Sequence, residues 1–229
     1  MSSDDNAGRR ASPGAPAGGG GRRRKDIQGL RAVCMMQVLG FHAWRIGSPI
    51  GVDAFIMISA YLMTGAFVRR AEAGRTPWVV ERWLHTFKRL MPPLVVTVLI
   101  TVAASLLILP RTRWIEVLVQ GVASVTYWQN WRLAAVSADY FADNHAVSSP
   151  LQHLWSMSMQ GQIFLLWPVL MAVCAGFASL MRLSVRRVVA VAFAALAAVS
   201  LTWLITAAPA DGSVYFDTRA RIWEFALGS

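Results

Sequence analysis

Residues 26–44 read DIQGLRAVCMMQVLGFHAW. Most of the stretch is apolar enough for a membrane helix, yet Arg31 stands near one end and His42 near the other. At about 100° per residue, the eleven steps between them bring a helix to within about 20° of three full turns, with a rise of about 16 Å. Both side chains are therefore expected on one helix face. An arginine at the centre of a span costs about 2.5–3.5 kcal/mol on insertion scales, and such a group usually faces the protein interior or a watery cavity. The plainer readings are an Arg31 that snorkels to the headgroups and a His42 that is a satisfied structural residue.

The rest of the chain supports a membrane setting. Of 229 residues, 55% are hydrophobic and only 15% are charged, against about 25% charged in a soluble domain. There is apolar material for several spans and too little charge to cover a soluble surface. The formal charge of +10 is uneven, with Arg9, Arg10, Arg22, Arg23, Arg24 and Lys25 crowded into residues 1–25. A basic tail against an apolar segment fits cytoplasmic anchoring. No recognition module follows it, which argues against a nucleic-acid partner. The tail is rich in Gly, Pro and Ala and is expected to be disordered. Cys34 and Cys174 sit in apolar runs and read as small core residues, with no metal site implied.

The fold class expected is an all-α, polytopic transmembrane bundle over residues 26–229, with about five or six spans. Apolar runs cover about 28–46, 50–68, 90–109, 114–131, 154–178 and 188–208, most of them near the roughly 20 residues a span needs. Basic segments at 1–25, 68–90 and 182–187 are expected inside. Counting every run as a span puts the last of these outside. Making 114–131 re-entrant or interfacial repairs the count, and that run carries Glu116, Gln120, Gln129 and Asn130 in or near it. Polar backbone at membrane depth is tolerated where it lines a cavity. The chain closes on RARIWEFALGS, read as the start of a further helix, and the domain is expected to be incomplete there.

Other polar residues gather on the side where His42 is expected. Asp53 opens the second span, and His153, Ser156, Ser158, Gln160 and Gln162 open the fifth. Such convergence is how a site looks in sequence. For Asp53 a helix-capping role is the competing reading, and for Ser59 a small packing residue.

These strings resemble the acyltransferase-3 family of integral membrane O-acyltransferases. DIQGLRAVCMMQVLGFHAW is similar to its opening signature with the Arg-x10-His spacing. GVDAFIMISAYLMTG (51–65) and HTFKRLMPPL (85–94) resemble its second and third elements. DYFADNHAVSSPLQHLWSMSMQGQIFLLWP (139–168) and FDTRARIWEFALGS (216–229) resemble the fourth and fifth. The order is kept from about residue 26 onward. Three departures from the family pattern stand out: Gln160, followed by Gly161, stands where the family has Glu; His85 and Thr86 replace an Arg pair; and Ser59-Ala60-Tyr61 replaces Ser-Gly-Phe.

The resemblance implies transfer of an acyl group, acetyl first, from a cytoplasmic thioester donor such as acetyl-CoA to a hydroxyl of a glycan, lipid or small-molecule acceptor. It implies a multi-pass plasma-membrane location with the N-terminus inside, and no metal. The chemistry needs a base near neutral pH, a donor for the oxyanion and cations for the carrier phosphates. His42 is the candidate base and Arg31 the residue that guides the donor. Asp53 or His153 would orient His42. Arg82, Lys88 and Arg89 are candidates for the carrier phosphates. Ser59, Trp155, Ser158, Gln160, Gln162, Arg219 and Glu224 are candidate lining residues, with Arg219 and Glu224 also readable as a structural pair. A transporter or flippase is the rival reading, since buried Arg and His also mark substrate paths, although no internal repeat is visible. An inactive acyltransferase fragment is the second rival.

Overall fold

A computed structural model describes residues 25–44, 50–75, 79–143, 149–207 and 212–229, without the side chains of residues 25, 42, 50, 138–143 and 212. Residues 1–24 of the basic tail, and with them the expectation of disorder, lie outside the described residues, while Lys25 opens the first helix. Among the described residues eight helices follow in order: α1 (Lys25–Trp44), α2 (Ile50–Glu72), α3 (Val79–Ile108), α4 (Trp114–Val125), α5 (Gln129–Asp143), α6 (Trp155–Leu180), α7 (Val185–Ala207) and α8 (Thr218–Gly228). Short 3-10 turns at Arg111–Arg113, Gln152–Leu154 and Gly212–Phe216 precede α4, α6 and α8. No strand occurs among the described residues.

Among the described residues, four helices are long and apolar enough to cross a membrane: α2, α3, α6 with its leading turn, and α7. The chain is a multi-pass membrane protein. Helix α1 has 20 residues, about 30 Å at 1.5 Å per residue, but Asp26, Arg31 and His42 dilute it. The run 114–131 is not one helix. It breaks at Thr126–Trp128, where Tyr127 takes φ 57°, and α4, with 12 residues, rises about 18 Å against a hydrocarbon core of about 30 Å. Gln120 within α4 and Gln129 and Asn130 just after the break are all buried in protein.

One boundary differs from expectation. The basic segment 68–90 is largely helical, because α2 continues to Glu72 and α3 already begins at Val79. Helix α3 runs through Pro92 and Pro93 for 30 residues. The two missing N–H groups remove two rungs without ending the helix.

Helix α6 organises the core. Trp155, Met159, Ile163, Trp167 and Met171 recur every four residues and are all buried, the spacing that keeps one helix face turned to its neighbours. They meet Ile56, Ala60, Met63 and Phe67 of α2, Val189 and Phe193 of α7, and Phe225 of α8. Trp167 stacks on Phe193 at 4.8 Å. Leucines and valines on the opposite faces are exposed, among them Leu107, Leu166, Val173 and Val199, as lipid contact requires.

Glycines mark where elements touch most closely. A side chain at Gly161 would lie inside the ring of Tyr127. That ring packs edge-on against Phe87 at 5.5 Å. The glycine that follows Gln160 thus has a steric role: the positive-φ turn at Tyr127 lays its ring on α6. Gly161→Ala is expected to destabilise the bundle by about 1–3 kcal/mol through overpacking. The check is thermal unfolding in detergent, where the variant should melt below the parent.

Candidate active site

Helices α1 and α2 meet closely because Gly51 has no side chain: a Cβ there would stand 2.6 Å from the Cys34 carbonyl oxygen. Beside this contact lies a cavity of about 210 Å³ between α1, α2 and α6. Cys34 and Val38 line it from α1, Phe55 and Ile56 from α2, and Ser156 and Gln160 from α6. The Arg31 guanidinium lies 4.7 Å from the centre of the Phe55 ring, a cation–π contact. Positions 31, 34 and 38 therefore turn toward α2. His42 follows Val38 by one helical turn, and its side chain lies outside the described residues. His153 is exposed on the turn before α6, and its carbonyl accepts a bond from Ser156 Oγ at 3.4 Å. Ser59 donates its hydroxyl to the Phe55 carbonyl at 2.9 Å, a bond within its own helix.

Asp53 faces a different neighbour. Arg221 Nη1 stands 3.2 Å from Asp53 Oδ1 and 2.7 Å from Glu224 Oε1. Glu224 is wholly buried. The same guanidinium lies over Tyr215 at 4.9 Å and near Trp155 at 5.8 Å. Burial raises the Tyr215 phenol above its ordinary value, so it stays protonated at neutral pH. This cluster ties α8 to the start of α2. Sequence reading named Arg219 as the partner in this element and missed Arg221. Arg219 instead pairs with Asp217 at 2.9 Å, its side chain 58% exposed, and lies over Trp203 at 4.4 Å. The available signal was spacing, since Arg221 and Glu224 are three apart and share a helix face.

Gln162 is a structural junction. Its amide donates to the Tyr127 carbonyl at 2.7 Å and to Asn130 Oδ1 at 2.9 Å. Its oxygen accepts from Trp131 Nε1 at 3.1 Å and Thr218 Oγ1 at 2.8 Å. A glutamine offers two donors and two lone pairs, so all are used. Ser158 is buried, and its hydroxyl has no hydrogen-bond partner among the described residues.

At the far end of α2 lies a second, more open cleft of about 550 Å³. Arg69, Arg70, Arg75, Arg82 and His85 line it, with Glu81 the acidic member. Of the three cations expected at the carrier phosphates, Arg82 is in this cleft. Lys88 and Arg89 are exposed and do not line it. The seventeen residues from Asp53 to Arg70 on one helix separate the two ends by about 25 Å.

The model of an acyltransferase domain matches residues 24–229. The chain belongs to the acyltransferase-3 family. It is 29% identical over 210 residues to the peptidoglycan O-acetyltransferase OatA of Listeria monocytogenes, covering 89% of this chain and 32% of that protein. It is 28% identical over 207 residues to the O-acetyltransferase OatA of Staphylococcus aureus, covering 88% of this chain and 33% of that protein. The chain thus spans about a third of the length of the relatives it matches. No solved structure matches it.

In this acyltransferase-3 chain the opening, second and fourth family elements meet at the smaller cavity, and the second, fourth and fifth meet at Arg221. Arg221→Ala would leave Glu224 buried without its cation, a loss of about 3–5 kcal/mol. Glu224→Gln is expected to cost less, because it removes the buried charge. Comparing the two thermal midpoints checks the order.

Proposed function

We infer that this chain carries the membrane-embedded acyl-transfer machinery of an O-acyltransferase, moving an acyl group, acetyl first, from acyl-CoA to a glycan hydroxyl. The observation that carries this reading is the family match along residues 24–229, together with relatives whose names state O-acetyl transfer, one of them to peptidoglycan. The basic clusters favour an N-terminus on the cytoplasmic side, the face from which a cytoplasmic thioester donor would approach.

Acyl transfer to a hydroxyl needs the proton removed as the oxygen attacks the thioester carbonyl. The tetrahedral intermediate then expels the thiolate, which leaves with that proton. In this reading His42 is the base. Arg31 guides the donor from the same side of α1, and its contact with the cavity-lining Phe55 supports that role. Asp53 is already engaged by Arg221, which favours His153 as the group that orients His42. Gln160 can donate a hydrogen bond from the cavity wall but cannot take a proton at neutral pH, so no base is assigned there.

The test is covalent acyl incorporation by the full chain within its complete protein, with unmodified substrate movement scored separately. His42→Ala is expected to lower transfer by about 100-fold or more. Near-normal transfer would remove His42 from the role, and movement of unmodified substrate without acylation would favour transport.

A further inference from the structure

We propose that the cavity between α1, α2 and α6 selects an acyl group that carries its own carboxylate, of about succinyl size, and that Gln160 sets this preference. The identity of the occupant rests on the acyl-transfer reading. Apolar side chains make up most of the cavity wall, among them Val38, Val52, Phe55 and Ile56. Gln160 lines it from α6 and is half-buried, yet its amide has no hydrogen-bond partner among the described residues. Neighbouring amides are engaged. Gln162 and Asn130 bond to each other and to α8 or the turn before it, and Gln120 bonds to Glu116, Gln129 and Ser149. Two N–H donors at an apolar wall gain most from a ligand that brings an acceptor.

Arg31 supplies charge at the edge of the same cavity. It is half-buried, its guanidinium lies 4.7 Å from the centre of the cavity-lining Phe55 ring, and it has no carboxylate partner among the described residues. No acidic side chain lines the cavity, and Asp53, next to Val52 in sequence, is committed to Arg221. A glutamate at position 160, as the family has, would answer the Arg31 charge; the neutral Gln160 does not. A cation and two donors thus face the cavity without an anion. A guanidinium drawn out of water favours a partner of opposite sign, and a carboxylate meets its planar fork through two parallel hydrogen bonds. The volume of about 210 Å³ lies below the range of about 300–1,000 Å³ typical of small-molecule sites, so it suits a short acyl group and not a sugar chain. An acetyl group would leave the polar groups unanswered, whereas a succinyl group brings its terminal carboxylate to them. A site that bonds a polar group discriminates against the analogue that lacks it. In the transfer, the acceptor oxygen bonds to the thioester carbonyl carbon, the carbon–sulfur bond breaks, and the thiolate leaves with the hydroxyl proton. The remote carboxylate keeps its charge and takes part in no bond change.

The test is competition between succinyl-coenzyme A and acetyl-coenzyme A for the chain within its complete protein, in phosphatidylcholine nanodiscs and without acceptor. Binding is then read without turnover. The parent is expected to bind the succinyl thioester about ten-fold or more tightly than the acetyl one. Gln160→Glu, which restores the family residue and its charge, should erase or reverse that preference. Gln160→Leu, which stays neutral but loses the donors, should reduce it by only a few-fold, about three-fold. Covalent transfer to a glycan acceptor is scored separately. A parent that shows the preference, loses it in Gln160→Glu and yet transfers neither group would uphold the pocket and sink the acyl-transfer reading. Equal affinity of the parent for the two thioesters, or a preference that Gln160→Glu leaves intact, would overturn the proposal even where acetyl transfer is observed.

Discussion

The bundle depends on one guanidinium held between two carboxylates. Arg221 reaches Asp53 on α2 and Glu224 one turn along its own helix. Glu224 is fully enclosed, where water cannot stabilise its charge. An ion pair of this kind adds little net stability compared with a well-packed apolar substitute, but it is strongly destabilised when one partner is lost. Its effect is to specify placement: α8 can approach α2 in the one register that brings the opposite charges together. The close backbone passage of Gly228 against Met57 and the bond from Thr64 to Ser229 at 2.9 Å extend that register along the same two helices.

A second layer of polar bonding fixes the shorter helices. Gln162 on α6 holds the break between α4 and α5 through the Tyr127 carbonyl and Asn130, and holds α8 through Thr218. Gln120 extends the network by donating to Glu116 and accepting from Gln129 and Ser149. Side-chain amides suit this work because each pairs donors and acceptors without leaving a charge in an apolar interior. The result is that the amides of α4 and α5 are buried against protein while Ile115, Val122 and other apolar residues of α4 stay exposed, although neither helix is long enough to cross the bilayer.

Much of this was legible in the sequence. The long apolar runs became α2, α3, α6 and α7, and the polar run 114–131 stood out as the weak one because Gln120, Gln129 and Asn130 have no place in lipid. The start of α8 was also readable in RARIWEFALGS, and the structure adds its cap, with Asp217 accepting from the Arg219 N–H at 2.8 Å. Other features were hidden for a common reason: they depend on residues far apart in the chain. The gap in α6 at Gly161 makes sense only with the Tyr127 ring in place. Asp53 reads as a helix cap until Arg221, 168 positions later, is brought beside it. The basic segment 68–90 read only as an inside connection between the apolar runs, because its charge outweighed its helical continuity. Arg69, Arg70 and Arg75 lie within that segment, and only the approach of the end of α2 to the start of α3 makes them one concave set with Arg82.

Helix α2 presents its small cavity at one end and its basic cleft at the other, joined by an unbroken α-helix of 23 residues. Such a rod acts as a ruler. Inserting or deleting a single residue between Phe55 and Arg69 would swing the arginine end by about 100° and shift it by about 1.5 Å, parting the two ends' bearings at once. Length variation in descendants of this chain should therefore be confined to the connections between helices, with the interval inside α2 kept constant even where its side chains drift.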